Sequence, residues 1–244
     1  MSLYNDLAIT AFLEEQLPCV ADGKKQILLD LGCGQQPYRS VYCDLFNKVI
    51  AADFDVRSKI DALLDARALP FMNDSFDIVL LTEVIEHVDD SSIAFREISR
   101  VLKNGGYLLL TWPFICSIHE LPKDYVRYTE FGMQRLLQAA GLEIEKLHRR
   151  GDIFCVLFAI VEHFSFNAVE FLSRIPWIGS RFFWPIKPLF RRCAIAAWKA
   201  YIWATEHARR FHPCVVGGNL KGPVNHLALW TMGYCARVRK VTPT

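Results

Sequence analysis

The eight cysteines of this 244-residue chain never fall as C-x-x-C, and no cysteine–histidine spacing matches a zinc site. Cys19, Cys33, Cys43, Cys116, Cys155, Cys193, Cys214 and Cys235 are scattered, and so read as reduced thiols of a cytoplasmic protein rather than a disulfide framework. No metal is expected. The longest uninterrupted apolar run, Ile153 to Val161, has nine residues, where a membrane-spanning helix needs ~20; no transmembrane helix is expected. The first ten residues, MSLYNDLAIT, lack the basic start and apolar stretch of a cleaved leader. There is no G-x-x-x-x-G-K-[ST], which excludes a phosphate-binding P-loop, and no internal repeat. Acid is scarce at one end. Residues 149–244 hold 4 Asp+Glu against 14 Lys+Arg, a balance of +10, whereas residues 1–148 hold 22 against 14, a balance of −8; together they give the net +2. So uneven a split implies different surroundings for the two parts.

What is present is enough apolar material for a full core: 52% hydrophobic and 22% charged residues, the composition of a globular chain. Short buried or alternating runs predict strands at 26–31, 48–53, 75–81, 107–111 and 142–148. Helical spacing covers 5–17, 90–102 and 129–140. Asp90, Ser91 and Ser92 offer N-cap chemistry to the second helix, with Asn104-Gly105-Gly106 as its stop; Thr129 and Gly141 cap the third. Strands alternating with helices predict a doubly wound, mostly parallel α/β sheet. Residues 149–226 break the pattern, being apolar, aromatic, basic and punctuated by proline. A last strand is expected near 232–239. The chain therefore divides into a domain over 1–148, a helical insertion over 149–226, and a segment over 227–244 that returns to the sheet.

The most informative stretch is Leu28-Leu29-Asp30-Leu31-Gly32-Cys33-Gly34, a buried strand running into a Gly-x-Gly turn. Glycines there let the backbone approach a ligand where a Cβ would clash. Nineteen residues after Gly34, Asp53 closes the next strand, where an acid can accept both hydroxyls of a ribose. A dinucleotide site would place a third glycine at position 37, which is proline. Asp30, just ahead of the turn, repels a pyrophosphate and favours a cationic ligand, such as a sulfonium carrying an amino group.

These residues resemble class I S-adenosylmethionine-dependent methyltransferases. LDLGCG is similar to their first motif and VIAADFD, ending the second strand, to their second. DARALPF (65–71) resembles the third, FDIVLLTEVIEHV (76–88) the fourth, and REISRVLKNGGYLLLTWP the helix and strand that follow. The resemblance spans about residues 25–148; it departs at Gln36, where many members have glycine. It implies a Rossmann-like sheet of seven strands, the insertion lying before the last, with S-adenosylmethionine as cofactor. It further implies cofactor contacts from Asp30, Gly32, Cys33, Gly34, Asp53, Phe54, Asp65, Ala66 and Glu83, with Asp53 on the ribose and Asp65 near the adenine. Cys33 is expected as a small apolar filler, and His87 as a brace of the helix start or loop.

Past the fifth strand the loop 113–129 gathers histidine, acid, tyrosine and arginine. In a parallel sheet such loops line the ligand crevice. His119 is the candidate general base for an acceptor hydroxyl. Asp124 would orient it or bind a sugar hydroxyl, and Arg127 would grip a phosphate or carboxylate on the acceptor. The plainer alternative pairs Asp124 with Arg127 structurally and packs Tyr125 and Tyr128 on the next helix. His119-Glu120 is not H-E-x-x-H, since residue 123 is lysine, which disfavours a zinc hydrolase. The H-E-x-P-x-D-Y-x-R-Y-T pattern is similar to one in methyltransferases of cell-surface polysaccharide pathways.

Residues 174–212 hold four of the six tryptophans and eight Lys+Arg against the single acid Glu206. Such a segment suits a peripheral membrane contact at the inner membrane face, a lid, or a homodimer interface. Nucleic acid is not expected as a partner: the segment is too apolar and the domain beside it is acidic. The expected reaction is methyl transfer to an oxygen of a sugar, glycan or lipid-linked acceptor. The alternatives are a membrane lipid or quinone-like small molecule, or a donor-binding interaction module without turnover.

Overall fold

A strand covered on both faces must be apolar at nearly every position, and one covered by helices must sort its residues with period two. The segment 76–82 does both. Ile78 and Leu80 pack with Ile9, Phe12, Leu13 and Leu17 of the N-terminal helix, whereas Val79 and Leu81 pack with Phe95 and Ile98 on the opposite side.

The computed structural model describes residues 3–22, 26–55, 60–157, 159–160, 216–217 and 231–241. In chain order these hold α1 (Leu3–Val20), β1 (Ile27–Leu31), α2 (Arg39–Tyr42), β2 (Lys48–Asp53), β3 (Ala62–Leu63) and β4 (Phe76–Thr82). A 3-10 turn (Ile85–His87), α3 (Ser91–Val101), β5 (Leu102–Pro113), α4 (Glu130–Ala139), β6 (Leu142–Arg150), β7 (Val216–Gly217) and β8 (Gly233–Lys240) follow. The strands form one sheet in the order β3-β2-β1-β4-β5-β8-β6-β7. β3, β2, β1, β4 and β5 run parallel; β8 is antiparallel to both β5 and β6. The α/β class, the doubly wound arrangement and the return of the last strand are as the sequence implies. Beyond the seven strands expected, the described residues add β7, a two-residue edge strand on β6.

The caps form as read. Asp90 accepts the backbone N–H groups of Ser92 and Ile93, and Thr129 accepts that of Gly132; Gly141, past α4, has φ +73°. One expectation is corrected. Asn104-Gly105-Gly106 is not a stop outside the sheet, because β5 begins at Leu102 and runs through it. The β4–β5 register shifts between Phe76 and Ile78, and Gly105 takes φ +75°. At Gly106 a Cβ would stand 2.8 Å from the Asp77 carbonyl oxygen. Glycine here makes a bulge within a strand.

β6 also runs two residues past the expected domain boundary, to Arg150. Of the insertion, residues 153–157 are helical, with Asp152 accepting the N–H groups of Phe154 and Cys155. The aromatic, basic stretch 174–212 lies outside the described residues. Among the described residues, no helix is long and apolar enough to cross a membrane.

Candidate functional site

The carboxyl ends of β1, β2, β4 and β5 all open on one side of the sheet, where a doubly wound fold places its ligands. The glycine turn sits at the end of β1. Gly32 has φ +73°, and a Cβ on it would stand 2.3 Å from a Val84 methyl carbon, so glycine is required for both conformation and space. Gly34 has φ +51°, yet a Cβ there would meet nothing within 4 Å. The turn thus presents bare backbone to open space.

Asp53, at the end of β2, holds this turn. Its Oδ2 accepts the Gly34 N–H at 2.7 Å and its Oδ1 accepts the Asp55 N–H at 2.8 Å. A carboxylate has about four lone-pair sites, so each oxygen keeps one for a ligand hydroxyl. Phe54, next in the chain, is largely exposed.

Asp30 and Cys33 lie beneath the turn, both buried. The Tyr42 hydroxyl donates to Asp30 Oδ2 at 2.5 Å, and burial pushes the carboxyl up to about 6. Burial also raises the Cys33 thiol to about 12, so it is inert filler, as expected. Asp65 accepts the N–H of Arg67 and its guanidinium; those bonds hold its carboxyl below the usual range. Ala66 is at the edge of the core. The structure brings Gly32, Gly34 and Asp53 together, with Asp30 supporting them from below.

Glu83 is used differently from what its position suggests. It is buried at φ +51°. Its Oε1 accepts from Thr111 Oγ1 at 2.9 Å and from Arg150 Nη2 at 2.7 Å. A carboxylate so held braces β4, β5 and β6 at their shared end. Sequence reasoning missed Arg150, because nothing local to residue 150 marks it as the partner of residue 83.

The acceptor-side loop is anchored at several points. The Tyr125 N–H donates to the Glu86 carbonyl oxygen at 2.9 Å, and Trp112 Nε1 donates to the Tyr128 carbonyl at 2.9 Å. Lys123 Nζ stands 4.2 Å from the centre of the Phe54 ring, which brings the loop against the end of β2. Asp124, whose side chain is fully covered, receives two bonds from Arg127 and one from the His119 N–H; Arg127 holds its carboxyl far below the usual range. Arg127 pairs with Asp124, as the plainer reading has it, and its Nη1 also donates to the Val126 carbonyl oxygen. Tyr128 donates to Ser91 Oγ on α3.

The side chain of His119 is partly exposed. Its Nδ1 lies 3.1 Å from the Ser117 carbonyl and 3.4 Å from Asp124 Oδ2. A carbonyl only accepts, so Nδ1 carries the proton and Nε2 presents a lone pair. His87 braces the loop as expected, its Nδ1 lying 2.6 Å from the Lys123 carbonyl. Its ring lies edge-to-face with that of His119, the centres 4.9 Å apart. Between the two stands Glu86, which the sequence did not single out.

Residues 29–110 match the family model of the methyltransferase domain. The chain is 28% identical over 112 residues to the ubiquinone biosynthesis O-methyltransferase of Pelagibacter ubique, covering 41% of this chain and 45% of that protein. It is 26% identical over 124 residues to the malonyl-[acyl-carrier protein] O-methyltransferase of Hamiltonella defensa, covering 47% and 48%. The chain thus spans about half the length of these curated relatives. Among solved structures, phosphoethanolamine N-methyltransferase 2 of Haemonchus contortus, in complex with S-adenosyl-L-methionine, shares the fold. Its TM-score is 0.55 at 17% identity, over 96% of this chain and 53% of that one.

Proposed function

The chain carries a class I S-adenosylmethionine-dependent methyltransferase domain, and from that premise we propose that it moves a methyl group from S-adenosylmethionine to an oxygen of a hydroxylated acceptor, a sugar or glycan, free or lipid-linked. The cofactor supplies a methyl carbon already activated by its sulfonium. The chain's residues are then left to bind, orient and handle one proton. Gly32 and Gly34 give the donor bare backbone to lie against. Asp53 offers two free lone pairs to the ribose hydroxyls, and Asp30 places a carboxyl beneath the turn, where a cation is favoured. Of the other residues named from the resemblance, Phe54 follows Asp53 directly and Asp65 follows β3, the strand paired with the end of β2.

The single observation that carries the choice of oxygen is the His119 ring, with Nδ1 held on Ser117 and Asp124, Nε2 without a hydrogen-bond donor on it, and the side chain a third exposed. A hydroxyl must lose its proton as the new bond forms, and a lone pair presented in this way is what that step needs. Arg127 fixes Asp124, and Asp124 fixes the loop that bears His119.

A second reading is favoured by the relatives: a quinone-like phenol as acceptor. One experiment tests both. An extract is incubated with the purified protein and donor carrying an isotope-labelled methyl group, and labelled products are identified by mass spectrometry. A labelled glycan or glycolipid supports the first reading and a labelled phenol the second. Donor binding by calorimetry without any labelled product removes the enzyme and leaves an interaction module. His119→Ala should lower turnover by ~10²–10⁴-fold with donor affinity unchanged.

A further inference from the structure

We propose that Glu86, His87 and His119 form a binding site for one divalent transition-metal ion of the zinc class. The placement of their ligand atoms carries this. His87 Nε2 lies 3.7 Å and His119 Nε2 3.9 Å from Glu86 Oε1, and the three ligand atoms all fall within 4.8 Å of one another. Donors bound ~2.1 Å from one ion in a tetrahedral site stand ~3.4 Å apart, so the two gaps to Glu86 close by a few tenths of an ångström and the widest gap by about 1.4 Å, within reach of side-chain rotation.

A second, independent observation points the same way. The Glu86 carboxylate is 1% exposed, and neither of its oxygens accepts a hydrogen bond from another residue among those described. A buried carboxylate without donors is costly unless a cation or a proton meets it.

Both imidazoles are also oriented as ligands are. Each turns Nδ1 to a backbone carbonyl, His87 to Lys123 and His119 to Ser117. Each therefore keeps its lone pair at Nε2, facing Glu86, and Asp124 Oδ2 lies 3.4 Å behind His119 Nδ1, where it steadies the ring. Two imidazole nitrogens and one carboxylate oxygen suit zinc, iron(II), cobalt(II) or nickel(II) rather than the all-oxygen preference of magnesium or calcium. Three protein ligands leave a fourth position open for water or an acceptor oxygen. His119 is a third exposed, so the ion can enter from the crevice, and Glu120 Oε2, 3.8 Å from His87 Nε2, adds negative charge at the rim. No zinc spacing marks this set in the sequence, because its members come from the turn after β4 and from the loop after β5.

The meaning of the ion for catalysis rests on the proposed methyl transfer and changes the part His119 plays in it: with Nε2 on the ion, His119 is a ligand rather than the base, and the ion lowers the pKa of an acceptor oxygen it coordinates so that the proton is lost to solvent. Its binding does not depend on that reading and is measured without donor or acceptor. The full chain, stripped with chelator and titrated with cobalt(II) chloride, should gain visible d–d absorption saturating at one equivalent, which zinc then displaces. His119→Ala and His87→Ala should each weaken cobalt binding by roughly 100-fold or more, with melting curves reporting that the variants are folded. Cys19→Ser/Cys43→Ser, which removes exposed thiols, should bind as the parent does. Absence of a one-equivalent signal, or the same signal in folded His119→Ala and His87→Ala variants, would overturn the proposal. Turnover that survives chelator, with no cobalt signal, removes the ion and leaves the methyltransferase. Stoichiometric cobalt binding without turnover on any acceptor supports the ion and removes only the reaction.

Discussion

Arg150, the last residue of β6, reaches Glu83 beyond the end of β4, with 2.7 Å between Nη2 and Oε1 and both side chains almost wholly buried. The same Nη2 donates to the Trp112 carbonyl at 2.9 Å. A Cβ at Gly233 would stand 2.2 Å from this nitrogen, so glycine in β8 is what lets the guanidinium through. The pair closes the end of the sheet from which the glycine turn and the loop 113–129 spring.

Removing one member of such a pair leaves a buried charge without its partner. Arg150→Ala is expected to lower unfolding free energy by about 3–5 kcal/mol, read from urea denaturation. The double variant Arg150→Met/Glu83→Gln should lose less than Arg150→Ala alone, because it leaves no bare charge behind.

Gly32→Ala and Gly34→Ala should part company. Both force a side chain into left-handed backbone, at a cost of ~1–2 kcal/mol. Gly32→Ala also drives its Cβ into Val84, so it should melt lower than Gly34→Ala, and Val84→Ala should recover part of the difference. Gly34→Ala fills the open space where the donor is proposed to lie. Calorimetry should show lost donor affinity with the fold retained.

Asp53→Asn keeps the shape of the side chain but removes its charge and half its acceptors. A hydrogen bond to a charged group contributes ~1.5–3 kcal/mol. Donor affinity should therefore fall by roughly 10- to 150-fold in calorimetry, with a smaller loss of stability from the weakened Gly34 and Asp55 contacts.

Asp30 gives a pH dependence of defined sign. Its carboxyl is raised from 3.8 to about 6, chiefly by burial. Folding then favours the protonated form, so this contribution is fully present below pH 3.8 and is lost as pH rises through about 6. The shift corresponds to about 3 kcal/mol. Urea denaturation from pH 4 to 7 should show this decline, and Asp30→Asn should flatten it. A bound cation opposes the decline by stabilising the carboxylate, so donor affinity should rise over the same interval in the parent and not in Asp30→Asn.

Some of this molecule could be read locally. The strands at 27–31, 48–53 and 76–82 are mostly apolar, each with a single acid, and the caps at Asp90 and Thr129 bond within three residues of themselves. Gly32 and Gly34 declare a left-handed turn whatever surrounds them. Asp53 could be found because its spacing from the turn is set by one helical crossover. The Asn104-Gly105-Gly106 stretch misled, since glycines mark a bulge inside a strand as readily as a stop outside one.

The amino-acid sequence by itself determined the alternation of strands and helices, the glycine turn and the acid beyond it, because periodicity, capping and φ preference belong to neighbouring residues. Only the tertiary structure decided that Glu83 belongs to Arg150, that Arg127 belongs to Asp124, and that Glu86, His87 and His119 face one another. Those relations join loops from different strands, and burial and charge act on a side chain only once the sheet has brought its distant partners within a few ångströms.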